Sequence, residues 1–102
     1  MKRQILTVLS AVAMLAASNV ATAADAAAGK AKTAVCAGCH GGNGVSMIPT
    51  YPNLAGQKAA YLSKQIKAFR DGTRTDPTMN AMVKGLTDAD ADNISAHYAG
   101  LK

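Results

Sequence analysis

Apolar side chains recur along this chain with a helical period in two clear places. Over residues 58–70, Ala59, Leu62, Ile66 and Phe69 fall on one stripe, with Lys64 and Lys67 on the opposite face, the pattern of a helix packed on one side. Asp71-Gly72 ends it, because glycine accepts the left-handed conformation that closes a helix. Near the end of the chain Ala91, Ile94, Tyr98 and Leu101 share a face, behind Thr87 as N-cap. Asp88 and Asp90 occupy the first turn of that helix, where the dipole favours negative charge. A shorter helix is predicted from Asp25 to about Val35, with Asp25 as N-cap; Gly29 is out of place there unless another helix packs against it closely. Residues 41–57 are rich in Gly, Asn, Pro and Ser and read as loop, as do residues 73–86, where Pro77 holds Asp76 extended. No stretch alternates as a strand does. The expectation is an all-α fold of three main helices joined by two long loops, and loops of that length in a small domain need something to lie against.

The first residues obey a different logic. Lys2 and Arg3 precede an apolar run from Ile5 to Ala17, and small residues end at Ala21-Thr22-Ala23. This is the layout of a secretory signal peptide. The run is about 13 residues, short of the ~20 that span a bilayer as a helix. Residues 1–23 are therefore expected to be cleaved, leaving a single domain at 24–102 that does not span a membrane.

Composition sharpens the problem of the core. The chain has one Phe, three Tyr and no Trp, so it carries few large side chains, and much of its hydrophobic content is alanine. Without Lys2 and Arg3, nine basic residues face six acidic ones. That residual charge is too small, and too little interleaved with aromatics, to indicate nucleic acid. Domains this small usually lean on disulfides, a metal or a cofactor. Two cysteines make no disulfide scaffold, so a ligand is expected to supply the missing core.

Cys36-Ala37-Gly38-Cys39-His40 supplies the chemistry. Two cysteines three apart on a helical turn reach the two vinyl groups of one haem edge and form thioethers. The next imidazole is then carried to the iron, and CxxCH is the attachment pattern of c-type haem. A thioredoxin-like redox pair would need a strand–helix context that the chain lacks. A structural zinc site would need four well-placed ligands from Cys36, Cys39, His40 and His97, and a CxxC disulfide would close too small a ring to stabilise much.

A soft thioether commonly closes the sixth position of such an iron and raises its potential. Met47 comes too soon after His40 to pass around a haem edge. Met79 and Met82 lie in the second loop, where a crossing of the opposite face is expected. The stiff Asp76-Pro77-Thr78 approach favours Met79, while Met82 remains open, one of the two being a gap-filling methionine.

Taken together, AAAGKAK before CAGCHGGNG, then YPNLAGQKAAYLSKQIKAFRDGTR and MNAMVKGLTDADADNISAHYAGLK resemble the small class I c-type cytochromes of the bacterial periplasm. The likeness is to the monohaem domain that also occurs duplicated in dihaem carriers, and it runs over the whole of 24–102. It implies the class I cytochrome c fold, three main helices wrapped around one covalently attached haem c. Loop 41–57 would lie on the histidine side and 73–86 on the methionine side. It implies His40 and Met79 as axial iron ligands, Met79 being the methionine seven before the Leu86 that precedes the capping Thr87. Pro52 matches the proline whose carbonyl accepts a hydrogen bond from the ligand imidazole. Gly29 and Tyr98 match a crossing of first and last helices at which a glycine admits an aromatic ring.

The function implied is one-electron transfer between periplasmic or membrane-bound redox proteins of a respiratory chain, a donor reductase and an acceptor oxidase or reductase, with no catalytic residues. A haem-bearing subunit of a larger oxidoreductase complex is the main alternative, and a peroxidase-like or gas-binding haem, with an open sixth position, is another. His97 reads as a surface histidine, and Lys58, Lys64 and Lys67 as a solvated face that could guide an acidic partner. Arg70 and Arg74 suit haem propionates.

Overall fold

A computed structural model describes residues 23–102; the predicted signal segment lies outside the described residues apart from Ala23. The described part is helical and holds no strand. Its elements are α1 (Ala26–Ala31), α2 (Ala34–His40), α3 (Ala59–Asp71), α4 (Pro77–Met82) and α5 (Asp88–Ala99).

Helices α3 and α5 are present as expected, while the first helix and the second loop differ from expectation. The single helix predicted over 25–35 is broken. Lys32 caps α1 with its N–H on Gly29 and Lys30 carbonyls, and Thr33 leaves the helical region at ψ 2°. The Thr33 hydroxyl donates to the Lys30 carbonyl at 2.8 Å, a local bond that competes with continuation of the helix. A fresh helix, α2, then carries the CxxCH turn. The second loop likewise contains a helix, α4: Asp76 is extended at φ −151°, its carboxylate accepts from Met79 N at 2.9 Å, and Pro77 takes the first helical position. Proline is a loop signal in most contexts, but at that position its fixed φ and absent N–H suit a helix start.

The ends of α3 and α5 agree with the sequence. Gly72 closes α3 in the left-handed conformation at φ 81°, and Thr87 with Asp90 forms a complete capping box on α5. The core is small. Leu62, Ile94 and Tyr98 form the buried cluster, with Cys36, Leu54, Ile66, Leu86 and Leu101 half-buried against it.

Helix α5 binds the molecule together. Asn93 Oδ1 accepts from Asp25 N at 2.8 Å, at the start of α1. Gly29 lies against the α5 backbone so closely that a Cβ there would meet Asn93 O at 1.9 Å and Ile94 N at 2.6 Å. The crossing of the first and last helices expected at this glycine is present; the nearest α5 atoms there are backbone, and Tyr98 on the same helix interacts with Cys36. On the α3 side, Asp92 accepts from the Ser63 hydroxyl at 2.5 Å and from Lys67 Nζ at 3.0 Å. Arg70 joins the end of α3 to the start of α5 through Asp88 at 2.7 Å.

Candidate functional site

The site is built at the C-terminal end of α2. Its three-residue spacing puts Cys36 and Cys39 on one face of a helical turn, and His40 is the last helical residue. Both cysteines are free thiols, half-buried. Burial pushes the Cys36 thiol up, partly offset by a hydrogen bond with the Tyr98 hydroxyl. The same burial, reinforced by the neighbouring sulfur, pushes the Tyr98 phenol up to about 12.

His40 is only 7% exposed, and its Nδ1 lies 2.8 Å from the Pro52 carbonyl oxygen. A carbonyl accepts only, so Nδ1 carries the proton and donates it. In the neutral ring this leaves Nε2 with its lone pair, the form that binds a metal. Pro52 is exposed, and the loop that presents its carbonyl is itself pinned at several points. Gly41 turns the chain at φ 85°, where a Cβ would meet Val45 O at 2.0 Å. The Ser46 hydroxyl donates to the Cys39 carbonyl at 2.6 Å, and Ser46 N donates to Asn53 Oδ1 at 2.8 Å. Further on, the Gly44 carbonyl accepts from both Leu54 N and Ala55 N, at 2.7 and 3.0 Å. The loop is thus a fixed support for the imidazole ring. Ser46 and Asn53 carry no signal in the sequence, where they read as ordinary loop polars; their partners are visible only in three dimensions.

Of the three methionines among the described residues, Met47 is 96% exposed and Met82 49% exposed, while Met79 is half-buried within α4. Both arginines have partners within the chain. Arg70 holds Asp71 and Asp88, which raise its pKa still further, and donates to the Leu86 carbonyl. Arg74 lies with its guanidinium 4.4 Å over the Phe69 ring and donates to Gln65. Lys67 is paired with Asp92, leaving Lys58 and Lys64 exposed, and His97 stacks obliquely on Tyr98 at 5.1 Å.

The donor set answers whether a haem fits. Two unpaired thiols stand one turn apart, and directly after them comes a buried imidazole whose tautomer is fixed with Nε2 free. A helical chain that delivers these three groups from one turn is a c-type haem protein. The Cytochrome c family model matches residues 26–102, and the chain belongs to that family. It is 48% identical over 60 residues to cytochrome c-554(548) of Halomonas halodenitrificans, a match covering 56% of this chain and 72% of that protein. To cytochrome c4 of Pseudomonas aeruginosa it is 44% identical over 60 residues, covering 59% of this chain and 30% of the relative. The solved cytochrome c4 of Acidithiobacillus ferrooxidans superposes with a TM-score of 0.72 at 33% identity, over 76% of this chain and 50% of that one. The chain therefore spans about half the length of the c4 structure it matches. As in the family, the cofactor is one covalently attached haem c, and the role is that of a haem electron carrier.

Proposed function

We propose that residues 24–102 form a periplasmic monohaem carrier that moves single electrons between redox proteins of a respiratory chain, residues 1–23 serving as its export signal. Cys36 and Cys39 would hold the haem through thioethers, and His40 and Met79 would be the protein ligands to its iron. The observation that carries this reading is the buried His40 with its Nδ1 proton committed to the Pro52 carbonyl. The half-buried Met79, on a capped turn, supports the second ligand. When bound, the haem supplies a reversible one-electron change at its iron.

The chain's own residues set the conditions for that change. His40 cannot rotate freely, because Pro52 fixes its ring plane. Met79 lies in a helix whose first turn is closed by Asp76. With both residues held in place, the rearrangement accompanying electron transfer would be small, and oxygen and peroxide would be kept off the metal. The core is small, which would leave part of a bound haem accessible to partners. Those partners are periplasmic or membrane-bound redox proteins. No helix among the described residues is long and apolar enough to cross a membrane.

Exported holoprotein should have the mass of the chain from Ala24 plus one haem, and its ferrous form should not bind carbon monoxide. Met79→Ala should admit carbon monoxide and lower the reduction potential, whereas Met82→Ala should do neither. Ready binding by the unaltered protein, or opening of the iron by Met82→Ala alone, would overturn the reading.

A further inference from the structure

Asn80 comes directly after Met79, and its side chain does more than fill space. The amide nitrogen donates to the Phe69 carbonyl at 2.7 Å and to the Arg74 carbonyl at 2.9 Å. The amide oxygen accepts from Asp76 N at 2.9 Å. These partners settle which end of the amide is which, since two carbonyls call for a donor and an N–H for an acceptor. Phe69 O is one of the carbonyls left without a helical partner at the end of α3, and Arg74 and Asp76 belong to the connection before α4. One side chain thus ties three successive parts of the backbone together: the end of α3, the link, and the residue that caps α4.

We propose that Asn80 is the positioning residue for the methionine ligand, fixing where α4 sits on α3 and so where the Met79 sulfur is offered to the iron. The proposal rests on the assignment of Met79 as that ligand. Helix α4 has six residues, too few to be stable on its own, and none of them is buried. Its place is set from outside, by Asp76 accepting from Met79 N and by the Asn80 amide. The two act on each other, because the Asp76 backbone N–H that Asn80 accepts belongs to the residue whose carboxylate caps Met79. No other side chain type offers two donors and one acceptor at this reach. Aspartate would set an anion against two carbonyl oxygens, and alanine would leave all three groups without the partner.

The test uses covalently loaded ferric protein carrying Asn80→Ala, Asn80→Asp, Met79→Ala or Ser63→Ala. Two quantities are measured: the weak red-edge charge-transfer absorption that reports a thioether on ferric iron, and the affinity for cyanide, which must displace that thioether. Ser63→Ala breaks a hydrogen bond of the α3–α5 contact, away from α4, and controls for general loosening. Both Asn80 variants should weaken the absorption and raise the apparent cyanide affinity about tenfold or more, a factor of ten corresponding to ~1.4 kcal/mol of lost methionine coordination. Met79→Ala should abolish the absorption outright, and Ser63→Ala should leave both readouts unchanged. If Met79→Ala keeps the absorption, the ligand assignment fails and the proposal with it. If Met79→Ala loses the absorption but the Asn80 variants behave as Ser63→Ala does, the ligand stands and the positioning role of Asn80 is overturned.

Discussion

Replacing Gly29 by alanine tests the packing of α1 on α5 more sharply than any truncation. The added Cβ would lie 1.9 Å from Asn93 O, 2.2 Å from Asn93 C and 2.6 Å from Ile94 N, where ordinary contact begins at 3.4 Å. Helix α1 must then retreat by roughly 1.5 Å, since the obstacle is helical backbone and cannot rotate aside as a side chain would. That retreat also breaks the bond from Asp25 N to Asn93 Oδ1. Overpacking costs ~1–3 kcal/mol, and an immovable neighbour puts this case at the upper end. The better helix propensity of alanine returns about 1 kcal/mol, leaving a net loss of about 2 kcal/mol. For a domain this small, that loss lowers the melting temperature by roughly 8–16 °C. Gly38→Ala supplies the opposite sign, because nothing lies within 4 Å of its Cβ position in α2. It should stabilise by about 0.5–1 kcal/mol. Thermal unfolding of the holoprotein, monitored by far-ultraviolet circular dichroism, measures both. A Gly29→Ala protein melting within ~2 °C of the original, or a Gly38→Ala protein falling as far, would refute the reasoning.

Electrostatics gives three further expected outcomes. Tyr98 is neutral in the folded protein up to about pH 12, so its contribution is complete below the ordinary phenol value near ~10 and is lost as pH rises from there; Tyr98→Phe should remove that alkaline loss, checked by denaturation at stepped pH. Asp92 is held below the ordinary carboxylate value first by the Ser63 hydroxyl and then by Lys67, so its stabilisation is present above pH ~4 and vanishes as pH falls through the lowered value. Ser63→Ala should therefore flatten the acid side of the stability profile, and an unchanged profile would contradict this. Arg70→Ala removes the pairs to Asp71 and Asp88 along with the bond to the Leu86 carbonyl and should lower stability only slightly, by a loss that shrinks as salt is added.

Much of this architecture is legible in the chain. The stripes of α3 and α5, the Thr87 capping box and the Asp71-Gly72 stop are local, and local rules are enough for them. CxxCH is legible because its chemistry depends on spacing within one turn. The features that escape are set by contacts between segments. The break at Thr33 turns on a hydroxyl that could equally have faced solvent, and α4 on a proline that serves loops and helix starts alike. The need for room at Gly29 is visible, and the family resemblance supplies the last helix as its neighbour; that the helix backbone comes nearest is seen only in the fold. Arg70 and Arg74 are legible as charges, but their protein partners, Asp88 and the Phe69 ring, are seen only in the fold. Ser46, Asn53 and Asn80 are small polar residues in loop-like surroundings, and only the folded backbone reveals which carbonyls they meet.

The joint between α1 and α5 connects residues 68 positions apart, and it imposes an order in time. A six-residue α1 has nothing to fold upon until α5 has been synthesised. Docking of α5 also brings the Tyr98 hydroxyl to Cys36, so the turn that carries the CxxCH motif gains that neighbour only when the far end of the chain arrives. Closure of the domain therefore waits on contacts between distant parts of the chain, the kind that form slowly.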